Sequence, residues 1–155
     1  MDTALQFLLD YGYVGMFLAA FLAGSILPFS SEALLVAFVE MGLDPVGTVA
    51  AATLGNTAGS MTCYWLGHLG NMARLERWLG VKPEKLARAE RFIRGRGAWM
   101  AFFSFLPVVG DGIAIVLGLM RANLPITLFS MTLGKLLRYV ALVLAAQGIN
   151  ILIDN

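Results

Sequence analysis

The sequence predicts an all-α integral membrane protein, an inverted repeat of a re-entrant helical hairpin plus a transmembrane helix, with a cytoplasmic interfacial amphipathic helix between the repeats. Three observations predict it. First, 59% of the 155 residues are apolar and 14% charged, against about 45–50% and ~25% in a soluble domain. A core this small cannot hide so much apolar surface, so lipid must cover it. Second, eight of the eleven Lys and Arg residues lie in 71–97, with three glutamates, which marks that connection as cytoplasmic by the positive-inside rule. Third, a leucine-proline pair followed four residues later by an acid occurs at Leu27–Glu32 and again, 79 residues on, at Leu106–Asp111.

Taken in order, Ala4–Leu27 is apolar apart from Asp10, and either spans or lies partly in the interface. Pro28, Ser30 and Ser31 then form a helix-breaking tip ahead of Ala33–Leu43, which is too short for the about 20 residues that a crossing needs. A half-length helix on each side of a polar, proline-containing tip describes a re-entrant hairpin, whose irregular backbone must be covered by protein or by a water-filled cavity. Val46–Leu69 has the length of a span. In 71–97 an apolar stripe (Leu75, Leu79, Leu86, Ile93) faces away from Arg and Lys, and Glu84/Arg88 and Glu90/Arg94 sit in the favourable i,i+4 order. That is a helix lying on the inner leaflet. Ala98–Met120 is broken at Pro107, Gly110, Asp111 and Gly112, giving a second hairpin, and Ile126–Ile153 is a second span.

At the 79-residue offset, seven of the 39 positions from 27 to 65 are identical, including Thr53-Leu54-Gly55 with Thr132-Leu133-Gly134. A hairpin returns to its own side while the helix after it crosses once, so the second copy is inserted upside down, which is a transporter plan. The whole chain is expected to form one membrane domain, with repeat 1 over about 24–70, the connector over 71–97 and repeat 2 over about 98–153.

The same arithmetic excludes other classes. A net charge of +1 gives no overall polycation for nucleic acid. Cys63 is the single cysteine and His68 the single histidine, so no disulfide framework, Cys-rich metal cluster or His-based site is expected. No cleavable signal peptide is expected either, because residues 1–73 carry no Lys or Arg. No nucleotide loop, nucleophile elbow or metal pair is present, so neither enzyme nor cofactor is expected.

Ionisable residues at membrane depth are costly and mark function. Glu32 and Asp111 occupy equivalent tips; Arg121, Lys135 and Arg138 are the cations of the second half, and Asn56 follows the repeated glycine. These six are the expected substrate or proton pathway, with Pro28, Ser30, Ser31, Pro107 and Gly110 as the hairpin tips. Ala51, Gly55 and Gly59 put small residues on one helix face, which suits close packing and is one surface for a homodimer.

These residues carry a family resemblance. Leu54 to Gly59 with Tyr64-Trp65-Leu66-Gly67, Phe103 to Asp111, Gly118 to Arg121 and Leu133 to Tyr139 resemble the DedA superfamily, also called the VTT or SNARE-associated Golgi family, in its short YqaA-like branch. The resemblance implies two facing re-entrant hairpins in a bacterial inner membrane. It implies translocation of phospholipid or polyprenyl phosphate, in some members dependent on the proton-motive force. Where the family carries arginines flanking its second tip, this chain has Ser104 and Gly110. The expected activity is therefore flippase- or scramblase-like lipid transport, with anionic headgroups drawn to the buried cations. A proton-coupled small-solute or ion transporter and a non-transporting membrane scaffold are the alternatives.

Overall fold

A turn and a cap, each built twice, organise the fold. The computed structural model describes residues 2–25, 31–70, 97–105 and 110–154, with seven positions between 71 and 96; of residues 2, 4–9, 105, 110 and 111 it describes the backbone alone. Among the described residues all regular structure is helical: α1 Asp2–Gly24, α2 Ser31–Glu40, α3 Pro45–Leu69, a 3-10 helix Gly97–Phe105, α4 Gly110–Leu119 and α5 Leu124–Ile153.

The α2–α3 connection ends α2 with three backbone bonds: Met41 to Ala37, Gly42 to Val39 and Leu43 to Phe38. The α4–α5 connection makes the same three, Met120 to Val116, Arg121 to Gly118 and Ala122 to Leu117, each shifted by 79 residues. Such a turn needs one residue with positive φ. Gly42 supplies it at +105° and Arg121, without glycine's freedom, at +52°. Each following helix opens on a side-chain cap. The Asp44 carboxylate accepts from the Gly47 amide at 2.9 Å, and the Asn123 side-chain oxygen accepts from Ile126 at 3.2 Å. Proline in the first turn of both helices completes the start signal.

Two expected segments take different forms. Val46–Leu69 is helical as α3, yet among the described residues α5 alone is both long and apolar enough to cross a membrane on its own. The difference is chemical: Thr53, Asn56, Thr57 and Ser60 lower the hydropathy of α3, and all four are buried against the protein. The first half of Ala98–Met120 is 3-10 rather than α-helical. In that geometry residues three apart eclipse. Ala98, Ala101 and Ser104 are small, buried and spaced by three, which puts them on one packed face, and Met100 is buried beside them. The expected inner-leaflet helix over 71–97 lies largely outside the described residues; Arg77, Lys82, Glu84, Arg88 and Arg91 are exposed.

α3 is the central post. α1 runs parallel to it, with the Tyr13 ring against Gly47, the Phe17 carbonyl against Gly55 and the Phe21 carbonyl against Gly59. A Cβ on Gly55 or Gly59 would stand 2.2 Å from those carbonyl oxygens. The small face of 51–59 is thus spent inside the chain, on α1, and is not the open dimer surface that the sequence suggested. Gly12 touches Leu43, so the chain between them travels along α3 and comes back.

α5 runs antiparallel to α3. Val143 lies near Val49, Lys135 meets Asn56, and the Tyr64 hydroxyl donates to the Ala122 carbonyl at 2.6 Å. α4 is buried on every side from Gly112 to Gly118, and packs its Gly118 against the Tyr64 carbonyl while Gly67 of α3 meets the Ile115 carbonyl. One apolar core surrounds Tyr64 and Ile113–Leu117; a second joins Met16, Leu35, Ala52 and Tyr139.

Candidate functional site

Between those two cores, where α3 and α5 cross, sits a buried polar cluster. Lys135 is 2% exposed. Its ammonium donates to the Asn56 carbonyl at 3.1 Å, to the Asn56 side-chain oxygen and to the Ser60 hydroxyl. Ser60 in turn donates to the Gly24 carbonyl at 3.1 Å, at the end of α1. One turn along α5 from Lys135, the Tyr139 hydroxyl shares a 2.8 Å hydrogen bond with Ser31.

Local sequence explains the arrangement. Asn56 and Ser60 are one turn apart on α3, as Lys135 and Tyr139 are on α5, so each pair shares a face. Gly55 lets α1 close on α3, and Gly134 lets the 3-10 helix close on α5, where a Cβ would lie 2.1 Å from the Phe102 carbonyl. Ser31 is the first residue of α2 and Glu32 lies in its first turn, where an acid is favoured by the helix dipole.

At the edge of the cluster, Glu32 and Arg138 form an ion pair, their side chains 31% and 23% exposed. The Arg138 guanidinium carbon lies 5.6 Å from the Tyr139 ring centre. This pair is therefore in contact with the surroundings, while Lys135 is enclosed. A charge buried at the helix crossing interacts far more strongly with other charges than one in water does.

The structure thus brings together Glu32, Asn56, Lys135 and Arg138 of the six expected pathway residues. Arg121 stands apart, exposed in the α4–α5 turn. Asp111 lies in the first turn of α4, its side chain outside the described residues, and Gly110 is the first residue of that helix. Pro28, Ser30 and Pro107 lie outside the described residues. Sequence reasoning missed Ser60 and Tyr139 as members of the site. The signal was present: each is one turn from a chosen residue, and the two are 79 apart, as are Asn56 and Lys135. Thr53 and Thr57, on the same side of α3, and Ser104, on the 3-10 helix, have buried hydroxyls without a partner among the described residues. Among the described residues no group of three or more metal-ligating side chains comes together.

The VTT domain family model matches residues 27–148. The chain is 36% identical over 135 residues to inner membrane protein YqaA of Escherichia coli, covering 86% of this chain and 90% of that one. It is 30% identical over 157 residues to an alkaline phosphatase-like protein of Lactococcus lactis, covering 92% and 72%. It is 34% identical over 138 residues to a protein of Haemophilus influenzae, covering 82% of each. No solved structure matches. An inner membrane, the location in YqaA's name, is also where an exposed apolar α5 belongs. The chain is an integral membrane protein and belongs to the VTT domain family, the DedA family.

Proposed function

We propose that this protein moves a lipid with an anionic headgroup, a phospholipid or a polyprenyl phosphate, between the leaflets of the inner membrane. The observation that carries the reading is the buried Lys135 where α3 and α5 cross, twelve residues into a 30-residue helix. At 1.5 Å per residue that is roughly 17 Å from the helix start, near the middle of an about 30 Å hydrocarbon layer. An ionisable group there is a functional site by default. The headgroup phosphate passes along Lys135 and Arg138 while the tails stay in lipid, and Glu32 withdraws from Arg138 as the phosphate arrives. A proton taken up at Glu32 or Asp111 couples the step to the proton-motive force.

The inverted repeat is part of this reading. It is supported by α2 and α4, whose bounds differ by 79 residues at both ends, by the two matching turns and caps, and by the antiparallel course of α3 and α5. In a bilayer, α1 and α2 form one re-entrant hairpin, and the 3-10 helix with α4 forms the other. The basic connector faces the cytoplasm.

The test is dithionite quenching of fluorescent anionic phospholipid in proteoliposomes. Wild type should abolish the protected inner-leaflet plateau. Lys135→Met, Glu32→Gln and Asp111→Asn should restore most of it while eluting normally on size exclusion. Transport that survives all three variants would overturn the reading. A wild-type plateau equal to that of empty liposomes would leave solute transport or a scaffold role.

A further inference from the structure

Next to the polar cluster, α3 and α5 part toward the end that carries Asp44, leaving a groove of about 360 Å³. Val46, Val49 and Ala50 of α3 line one wall and Val140, Val143 and Leu144 of α5 the other, with Gln147 the one polar side chain among its lining residues. The groove runs from Leu136, the neighbour in sequence of Lys135, to Pro45, the neighbour of Asp44.

Its chemistry selects the occupant. Water needs polar partners, and this lining offers almost none. Helix association within lipid relies on small side chains that let backbones approach. The close-approach glycines Gly55, Gly59, Gly118 and Gly134 each already face backbone of this chain, whereas the groove walls are mainly branched and bulky. What remains is the fluid that surrounds α5 itself.

The 79-residue register adds an independent observation. The positions of Val143, Leu144 and Gln147 correspond to Tyr64, Trp65 and His68 at the opposite end of the α3–α5 pair. There the three rings pack on one another, with centroids 5.8 Å apart for Tyr64 and Trp65, 6.1 Å for Tyr64 and His68 and 5.5 Å for Trp65 and His68. The Tyr64 hydroxyl pins the cluster to the α4–α5 turn. Aliphatic side chains leave space at one end of the helix pair, and rings take up the equivalent positions at the other.

We propose that the groove holds one acyl chain of a membrane lipid and that Tyr64, Trp65 and His68 close the corresponding position at the other end. The assignment rests on the lipid-transport reading for its substrate class. It makes the leaflet at the Asp44 end the one from which a lipid tail approaches the Lys135 level.

The test uses the full chain in vesicles of phosphatidylethanolamine and phosphatidylglycerol, doped with a phospholipid that bears a diazirine on its acyl chain. After irradiation, adducts are located by mass spectrometry. Leu144, in the groove, and Leu137, outside it, are both exposed, at 63% and 51%. Adducts at Leu144 and Val140 should exceed those at Leu137 several-fold, and should fall to the Leu137 level in Ala50→Phe and in Val49→Phe. The double substitution Trp65→Leu with His68→Gln should add labelling at Met61. Equal labelling of Leu144 and Leu137 in wild type, which requires no variant to fold, would overturn the proposal. So would cross-links from the groove to a second copy in place of lipid adducts. The same samples are assayed for lipid transport. Groove adducts without transport would refute only the transport reading, and transport without preferential adducts would refute only the groove.

Discussion

Arg121 is the residue where local chemistry and fold disagree most. It closes the α4–α5 turn at φ +52°, a conformation that Gly42 supplies in the equivalent turn. Left-handed backbone costs an L-residue about 1–2 kcal/mol, and glycine gives back about 0.5–1 of any gain through its unfolded freedom. Arg121→Gly should therefore stabilise the protein by about 0.5–1 kcal/mol, a Tm rise of roughly 2–4 °C for a chain of this size, read by thermal unfolding in detergent. The arginine places a fixed positive charge at the end of α3 where its neighbour Ala122 is bonded to Tyr64.

At the level of elements, helix contact depends on glycine. Gly55→Ala places a methyl where the Phe17 carbonyl now lies, and should cost about 1–3 kcal/mol by overpacking. Gly148→Ala, with nothing within 4 Å of the added Cβ, should instead gain about 0.5–1 kcal/mol. A detergent melting series that ranks the two in the opposite order would refute the packing. The lengths of α3 and α5 were legible in the apolar runs Val46–Leu69 and Ile126–Ile153, whereas the turn at Gly42 and the caps at Asp44 and Asn123, which bound these helices through backbone rules, went unread. The 3-10 geometry of Gly97–Phe105 was not legible, because it depends on a close approach to α5 that only packing reveals. For the site, sequence reasoning found the charged members, since charge is conspicuous in an apolar chain. It passed over Ser60 and Tyr139, ordinary residues that matter through their hydrogen-bond partners.

Seen whole, the antiparallel α3–α5 pair sorts charge along its length. Asp44 and Glu40 lie at the start of α3, and Asp154 follows the end of α5 close by. The connector follows the other end of α3 in the chain, the end at which Arg121 lies. All four named side chains are exposed. Positive-inside insertion then directs the acidic end outward. In a Cys63→Ala background, Asp44→Cys should react with an impermeant maleimide applied to intact cells, and Arg121→Cys only after lysis. The reverse pattern would overturn the orientation.

The contact between Lys135 and Asn56 has a consequence for how such a chain arises. These residues occupy the same place in the two halves, so in an assembly of two identical half-chains each would face its own copy. Two asparagines tolerate that meeting, because an amide both donates and accepts. Two ammonium groups do not: neither accepts, and each repels the other. If the proposed inverted repeat holds, a single buried lysine at this crossing suits halves that have been fused and have diverged, one keeping the acceptor and the other acquiring the charge. The lysine thus marks the loss of twofold equivalence, and gives a molecule with matching turns and caps one chemically distinct centre.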